Sequence, residues 1–181
     1  MNHHHATVVE RSDLAFVRDE VAALLAESES EWTQQEDDAN CWKATFSDAA
    51  ELRCELTALL KVEGENSQTP KVLGVEVWTP LNAGERELSS TSEKALNRFL
   101  LAANKRLRLA QIELRSPQEE QPPVAVVTSF ATAENIETDI PQCIAAVVAA
   151  SAVVRAEVAA LHDESLASLY LEVTEMSHQS H

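Results

Sequence analysis

The sequence predicts an α+β domain, an antiparallel sheet flanked by helices in the order α-β-β-β-(β)-α-β-β-α. Three observations carry that reading. Ser90 to Leu114 reads as a capped amphipathic helix that runs straight into a strand. Segments around Trp42 and from Lys71 to Thr79 alternate with the two-residue period of half-buried strands. Asp13 to Ala26 and Ile144 to Leu161 repeat instead at helical spacing. At 181 residues the chain suits one domain, and a chain of that size buries roughly 70% of its unfolded surface without staples. The expected division is a flexible tail over 1–12, one domain over 13–175 and a second flexible tail over 176–181.

In chain order, Leu14, Val17, Val21, Leu24 and Leu25 mark one face of a first helix, with Ser12 as a suitable N-cap. The acidic stretch Glu27 to Glu31 ends it. Glu36 to Asn40 reads as a polar turn between two short strands carrying Trp32 and Trp42, and Trp42, Ala44 and Phe46 alternate. Leu52 to Val62 has two readings. Leu52, Leu56, Leu59 and Leu60 fit a helix begun by Asp48 with Glu51 three residues on; Leu52, Cys54, Leu56, Ala58, Leu60 and Val62 fit one strand face. The turn-rich Gly64 to Pro70, followed by a strand with Leu73, Val75 and Val77 on one side, supplies a hairpin partner and favours strand.

Pro80 to Leu88 is a loop. Ser90 and Glu93 then form a capping box, and Leu96, Phe99, Leu100, Ala103 and Leu107 make the buried stripe of the next helix. Ile112 and Leu114 begin a strand, Pro117 to Pro123 turns the chain, and Val124 to Thr132 returns as a second strand. A last helix begins near Thr138 or Asp139, with Pro141 in its first turn. It runs through Leu161 or beyond, to Leu166, Leu169, Tyr170 and Val173. Its flank of Ala145, Ala149, Ala152, Ala156 and Ala160 is small enough for another helix to approach closely. Ser177 to His181 reads as a frayed tail.

Charge narrows the partners. With 30 acidic against 14 basic residues the formal net charge is −16, which repels phosphate backbones and anionic membranes. Basic or amphipathic polypeptide segments are better matched. No basic segment followed by an apolar run marks a secretion signal, and Ser151, Arg155 and Glu157 interrupt the Ala/Val-rich stretch, so no membrane span is expected. Cys41, Cys54 and Cys143 are widely spaced and offer neither a disulfide framework nor a zinc pattern, as expected of a reducing, cytoplasmic setting.

Candidate chemistry is sparse. His162, Asp163 and Glu164 bring imidazole and carboxylates together in sequence, but neighbours on a helix point in different directions, so a solvated helix end is the preferred reading. His3 to His5, with His178 and His181, are terminal and poor ligand sites, and whether the triplet is native or an expression tag stays open. Cys143, near the start of the last helix, is the one thiol whose pKa the helix dipole could depress, although burial is the stronger expectation for Cys54 and Cys143 alike. The glycines Gly64, Gly74 and Gly84 make no phosphate loop or nucleophile elbow. Glu36, Asp37 and Asp38 lack the spacing of a calcium loop. Lys94, Arg98, Lys105, Arg106 and Arg108 concentrate five of the fourteen basic residues along one helix. They read either as a docking stripe for an acidic ligand or, preferably, as cations favoured near a helix C-terminus. Catalytic residues, metal ligands and a cofactor are not assigned.

The layout resembles the YbjN family, bacterial proteins that share a fold with type III secretion chaperones. Val75, Val77 and Pro80 match its strand ending in proline; Leu100, Ala102 and Asn104 match its helix end; Ile112, Glu113 and Leu114 match its φ-x-φ-E-φ strand. The likeness spans about Asp13 to Tyr170. Leu109, Ala110 and Gln111 depart from it where many relatives carry glycine, so the helix-to-strand turn must close differently, with Asn104 as the helper. The resemblance implies an antiparallel sheet covered by helices, frequent dimerisation, and chaperone-like roles or roles in regulating sensory transduction, with no catalytic residues. The expected function is a non-enzymatic protein-binding module acting through a sheet or helix surface, as a homodimer, with Trp32, Trp42 and Trp78 as anchors. The competing reading is a small-molecule or metal-dependent enzyme whose site assembles from distant residues.

Overall fold

The structure, a computed structural model, describes residues 14–28, 30–47, 53–64, 71–81, 88–115 and 124–179. The expectations for His3 to His5, Ser12, Asp48, Glu51 and His181, and for most of the three connectors, lie outside them. The elements are α1 (Leu14–Ala26), β1 (Thr33–Gln34), β2 (Cys41–Ser47), β3 (Arg53–Glu63), β4 (Lys71–Pro80), α2 (Ser90–Asn104), β5 (Gln111–Arg115), β6 (Val124–Thr132), α3 (Ile136–Ala160) and α4 (Glu164–Gln179). The strands make one six-stranded antiparallel sheet ordered β1-β2-β3-β4-β6-β5. The class is α+β, as the alternation predicts. The four strands before α2 include the two-residue β1 beside Trp32, and the described part of Leu52 to Val62, from Arg53 on, is strand.

Alternation sets which side chains meet. Ala44 pairs with Leu56, Ala58 with Val77, Leu60 with Val75, Val75 with Ala131, and Ile112 with Val127. All of these are buried on one face. Val17, Val21 and Leu25 of α1, Leu96 and Leu100 of α2, and Ile140, Val147, Val154 and Val158 of α3 join the same cluster. Leu73 leaves the expected row. It is the extra residue of β4 where the register shifts opposite Lys61 and Val62, and the bulge leaves it 42% exposed.

Helix ends differ from the sequence reading in four places. The N-cap of α2 is Ser89, one residue earlier than expected; its Oγ accepts from the Ser92 amide at 3.1 Å, and Glu93 adds a favourable charge in the first turn. α3 starts at Ile136, because the Asn135 carbonyl already accepts from the Thr138 and Asp139 amides; Pro141 therefore lies inside the helix. The long last helix breaks after Leu161. Asp163 starts α4 afresh, its Oδ1 accepting from the amides of Ser165 and Leu166 at 2.9 and 3.0 Å. α4 then continues to Gln179, so 176–179, expected to belong to a tail, are helical.

α3 is the one described helix long and apolar enough to cross a bilayer, with a mean hydropathy of 1.9 over its best window. About a third of that window is buried, against β4 and β6. Ala145, Ala149, Ala152 and Ala156 stay exposed on its outer side, so no described helix of the same chain uses the close approach they permit.

Candidate functional site

All described helices serve one side of the sheet: α1 and α3 lie on it, α2 closes its β5 end, and α4 packs on α2. Among the described residues no helix lies on the other face, called the open face below. One register row crosses all six strands there: Thr33, Lys43, Thr57, Trp78, Thr128 and Gln111. The next row holds Cys41, Leu59, Glu76 and Phe130. Trp78 and Leu59 are half-buried and Phe130 is 46% exposed. Beside Trp78 lies an open depression of about 470 Å³, flanked by Glu31, Lys43, Glu55, Thr57 and Pro80.

Arg115 organises the charge on this face. It sits on the edge strand β5, yet its guanidinium crosses β6 to the carboxylate of Glu76 on β4. It also pairs with Glu113 at 2.5 Å and lies 5.5 Å from the centre of the Trp78 ring. Glu76 receives Lys61 at 2.9 Å on its other oxygen and the Thr128 hydroxyl at 3.2 Å. Burial raises the Glu76 pKa, but the hydrogen bonds from Lys61 and Arg115 and their charges outweigh it, and the carboxyl is held below its ordinary range. The side chain spanning β6 explains how Val126 and Thr128 are buried on a face without a described helix. The arrangement is an apolar and aromatic patch with Lys61, Glu76, Glu113 and Arg115 paired with one another on one side and Glu31, Lys43 and Glu55 around the depression on the other. Such a surface can hold a polypeptide.

The anchor tryptophans separate. Trp42 is 3% exposed and belongs to the core, because its strand position points to the helix-covered face; a contact role for it is corrected. Trp32 is half-buried against the core and donates Nε1–H to Ser28 Oγ at 2.8 Å, closing the turn after α1. Only Trp78 stands on the open face. The basic stripe separates too. Arg98 donates to Thr174 Oγ1 at 3.0 Å and pairs with Glu175 at 3.6 Å, with Lys94 at 3.8 Å from the same carboxylate. These two dock α4 onto α2. Lys105, Arg106 and Arg108 are exposed beyond them.

The minor candidates resolve into structure. Asp163 is the α4 cap, and neighbouring His162 is half-buried with its pKa lowered by burial. Cys143 is two turns into α3 and buried, as preferred for it; burial raises its pKa, and Asp139 adds to that against a hydrogen bond from Ser129, so the helix dipole does not depress it. Asp38 closes the β1–β2 turn by accepting from the Asn40 amide at 2.9 Å, and Arg18 of α1 donates to Asn40 Oδ1 at 2.7 Å. Among the described residues no group of three or more His, Cys, Asp or Glu could hold a metal ion.

Asn104 closes the helix-to-strand turn, though not as a left-handed cap. Its Oδ1 accepts from the Ile112 amide at 2.7 Å and its Nδ2 donates to the Ile112 carbonyl at 2.8 Å, mimicking a neighbouring strand on the edge of β5. Glu76, Lys61 and Arg115 were not singled out from sequence. Each shows there only as the polar member of an alternating pair. No protein-family model, curated protein or solved structure matches the chain.

Proposed function

We propose that this protein is a non-enzymatic, cytoplasmic binding module of chaperone-like or regulatory type, belonging to the YbjN family, that holds a polypeptide segment on the open face of its sheet. One observation carries the reading: with every described helix on one side, the opposite side presents Trp78, Leu59 and Phe130 beside the ion-paired Lys61, Glu76 and Arg115. Aromatic anchors beside paired charges give contact area without the cost of desolvating lone charges there. The family assignment is supported by the element order and by Asn104, which stands where the family places asparagine and joins α2 to β5. The homodimer would form along the alanine flank of α3, whose small side chains let a second helix approach closely.

Two measurements test this. Size-exclusion light scattering should return twice the 19.9 kDa chain mass. A photo-crosslinking amino acid at Trp78, introduced in the producing cell, should yield polypeptide adducts that the same group at exposed Asn97 does not. A concentration-independent monomer with no adduct at position 78 would overturn the proposal.

A further inference from the structure

We propose that α4, together with the groove beside it, docks a cationic amphipathic helix of another protein. This goes beyond the sheet-face reading and does not depend on it. α4 carries two apolar faces. The inner one, Ala167, Tyr170 and Leu171, packs on the core cluster. The outer one is Leu166, Leu169, Val173 and Met176, exposed by 47, 56, 49 and 61%. Their spacing of three, four and three residues is that of a coiled-coil seam, which suits a second helix laid alongside.

The seam continues into a groove. Tyr170 lies one turn from both Leu166 and Val173 on the same helix surface, and its ring meets Phe99 of α2 edge-on at 6.4 Å. Both line an apolar cleft of about 300 Å³ between α2 and α3, with Leu107 and Val153, the latter 68% exposed. A helix on the seam therefore has a cleft beside it for a large side chain.

Charge selects the occupant. From residue 156 to the end the chain has Glu157, Asp163, Glu164, Glu172 and Glu175, and no lysine or arginine. Glu164 and Glu172 are exposed on α4, and Glu157 lies at the cleft. Of the nearby cations, Lys94 and Arg98 are already paired with Glu175, and Arg106 stands at the cleft with Glu157, so the acidic excess the ligand meets is that of Glu164 and Glu172 along α4. A second copy would bring the same carboxylates against these, within a molecule of net charge −16. A helix with lysine or arginine beside its apolar stripe meets them with opposite charge.

The probe is a labelled synthetic peptide of α4's length, leucine at the seam spacing and lysine elsewhere, compared with one carrying glutamate for lysine. By fluorescence anisotropy the full-length protein should bind the lysine peptide at least about tenfold more tightly than the glutamate peptide, with affinity falling as salt rises. The double substitution Leu166→Ser and Leu169→Ser should weaken binding about tenfold or more at an unchanged melting temperature. Phe16→Ser, at an exposed position of α1 that belongs neither to the seam nor to the cleft lining, should leave binding unchanged. Any of four results would overturn the inference: no binding, equal binding of both peptides, equal loss in Phe16→Ser, or a dimer in light scattering that the double substitution dissociates. The last outcome would assign the seam to a second copy and leave the sheet-face reading standing.

Discussion

Gly74→Ala should be the most damaging single-methyl change in the sheet. Gly74 pairs with Lys61 on one side and Thr132 on the other, at φ +151, and an added Cβ would lie 2.1 Å from the Ala131 carbonyl oxygen and 2.7 Å from the Phe130 ring. The Phe130 ring is partly exposed and can swing away. The carbonyl cannot move without opening the β4–β6 ladder, which joins the two halves of the sheet. The expected cost is about 3 kcal/mol, or a melting temperature lower by roughly 10 °C in a chain of this size. Leu73→Ala, one residue away at the exposed bulge, should change the midpoint by only a degree or two, about 0.5 kcal/mol. Thermal unfolding followed by circular dichroism reads both, and equal midpoints for Gly74→Ala and the native chain would contradict this packing.

Arg115→Ala should cost about 2–3 kcal/mol at neutral pH. It removes ion pairs to Glu76 and Glu113, uncovers β6, and leaves Glu76, whose side chain is only 14% exposed, with Lys61 alone as cation. The cost should depend on pH in a definite direction. The folded pKa of Glu76 lies below its ordinary value of 4.5, so its contribution is fully present above that value and is lost as pH falls through the lowered folded value. The gap between native and variant should therefore be widest at neutral pH and shrink under acid, once Glu76 is protonated in both. Denaturant melts across that range check this. A gap that stays constant into strong acid would mean that Arg115 acts through packing and not through Glu76.

These two sites mark where sequence reasoning stops. Alternation in Val75, Val77 and in Ile112, Leu114 assigned faces correctly, because side-chain direction in a strand is a local property. It could not say which face carries no described helix, nor that Arg115 would reach Glu76, 39 positions away in the chain and two strands over, across β6. The same limit misplaced Trp42: a tryptophan beside a polar turn looks like an anchor until pairing with Ala58 turns it inward. Breaks inside helical patterns were hard for another reason. Between Leu161 and Leu166 no glycine or proline interrupts the apolar rhythm, and only the capping hydrogen bonds of Asp163 separate α3 from α4. The basic residues on α2 read as a stripe because helix C-termini favour cations; Lys94 and Arg98 serve to hold α4, whose acidic side chain lies almost eighty positions on. Asn104 was the success of local chemistry. A side-chain amide near a helix end must bond to something, and here it bonds the strand that follows.

The direct test of the open face is fluorine NMR on protein labelled with fluorotryptophan. The chain has three tryptophans: Trp42 in the core, Trp32 against it, and Trp78 on the open face. Trp78→Phe assigns the Trp78 signal. On adding a reduced, carboxymethylated polypeptide that cannot fold, the Trp78 resonance should shift and broaden while that of Trp42 stays in place. A Trp78 resonance unmoved at saturating polypeptide, or all three signals moving together, would contradict a binding surface on the open sheet.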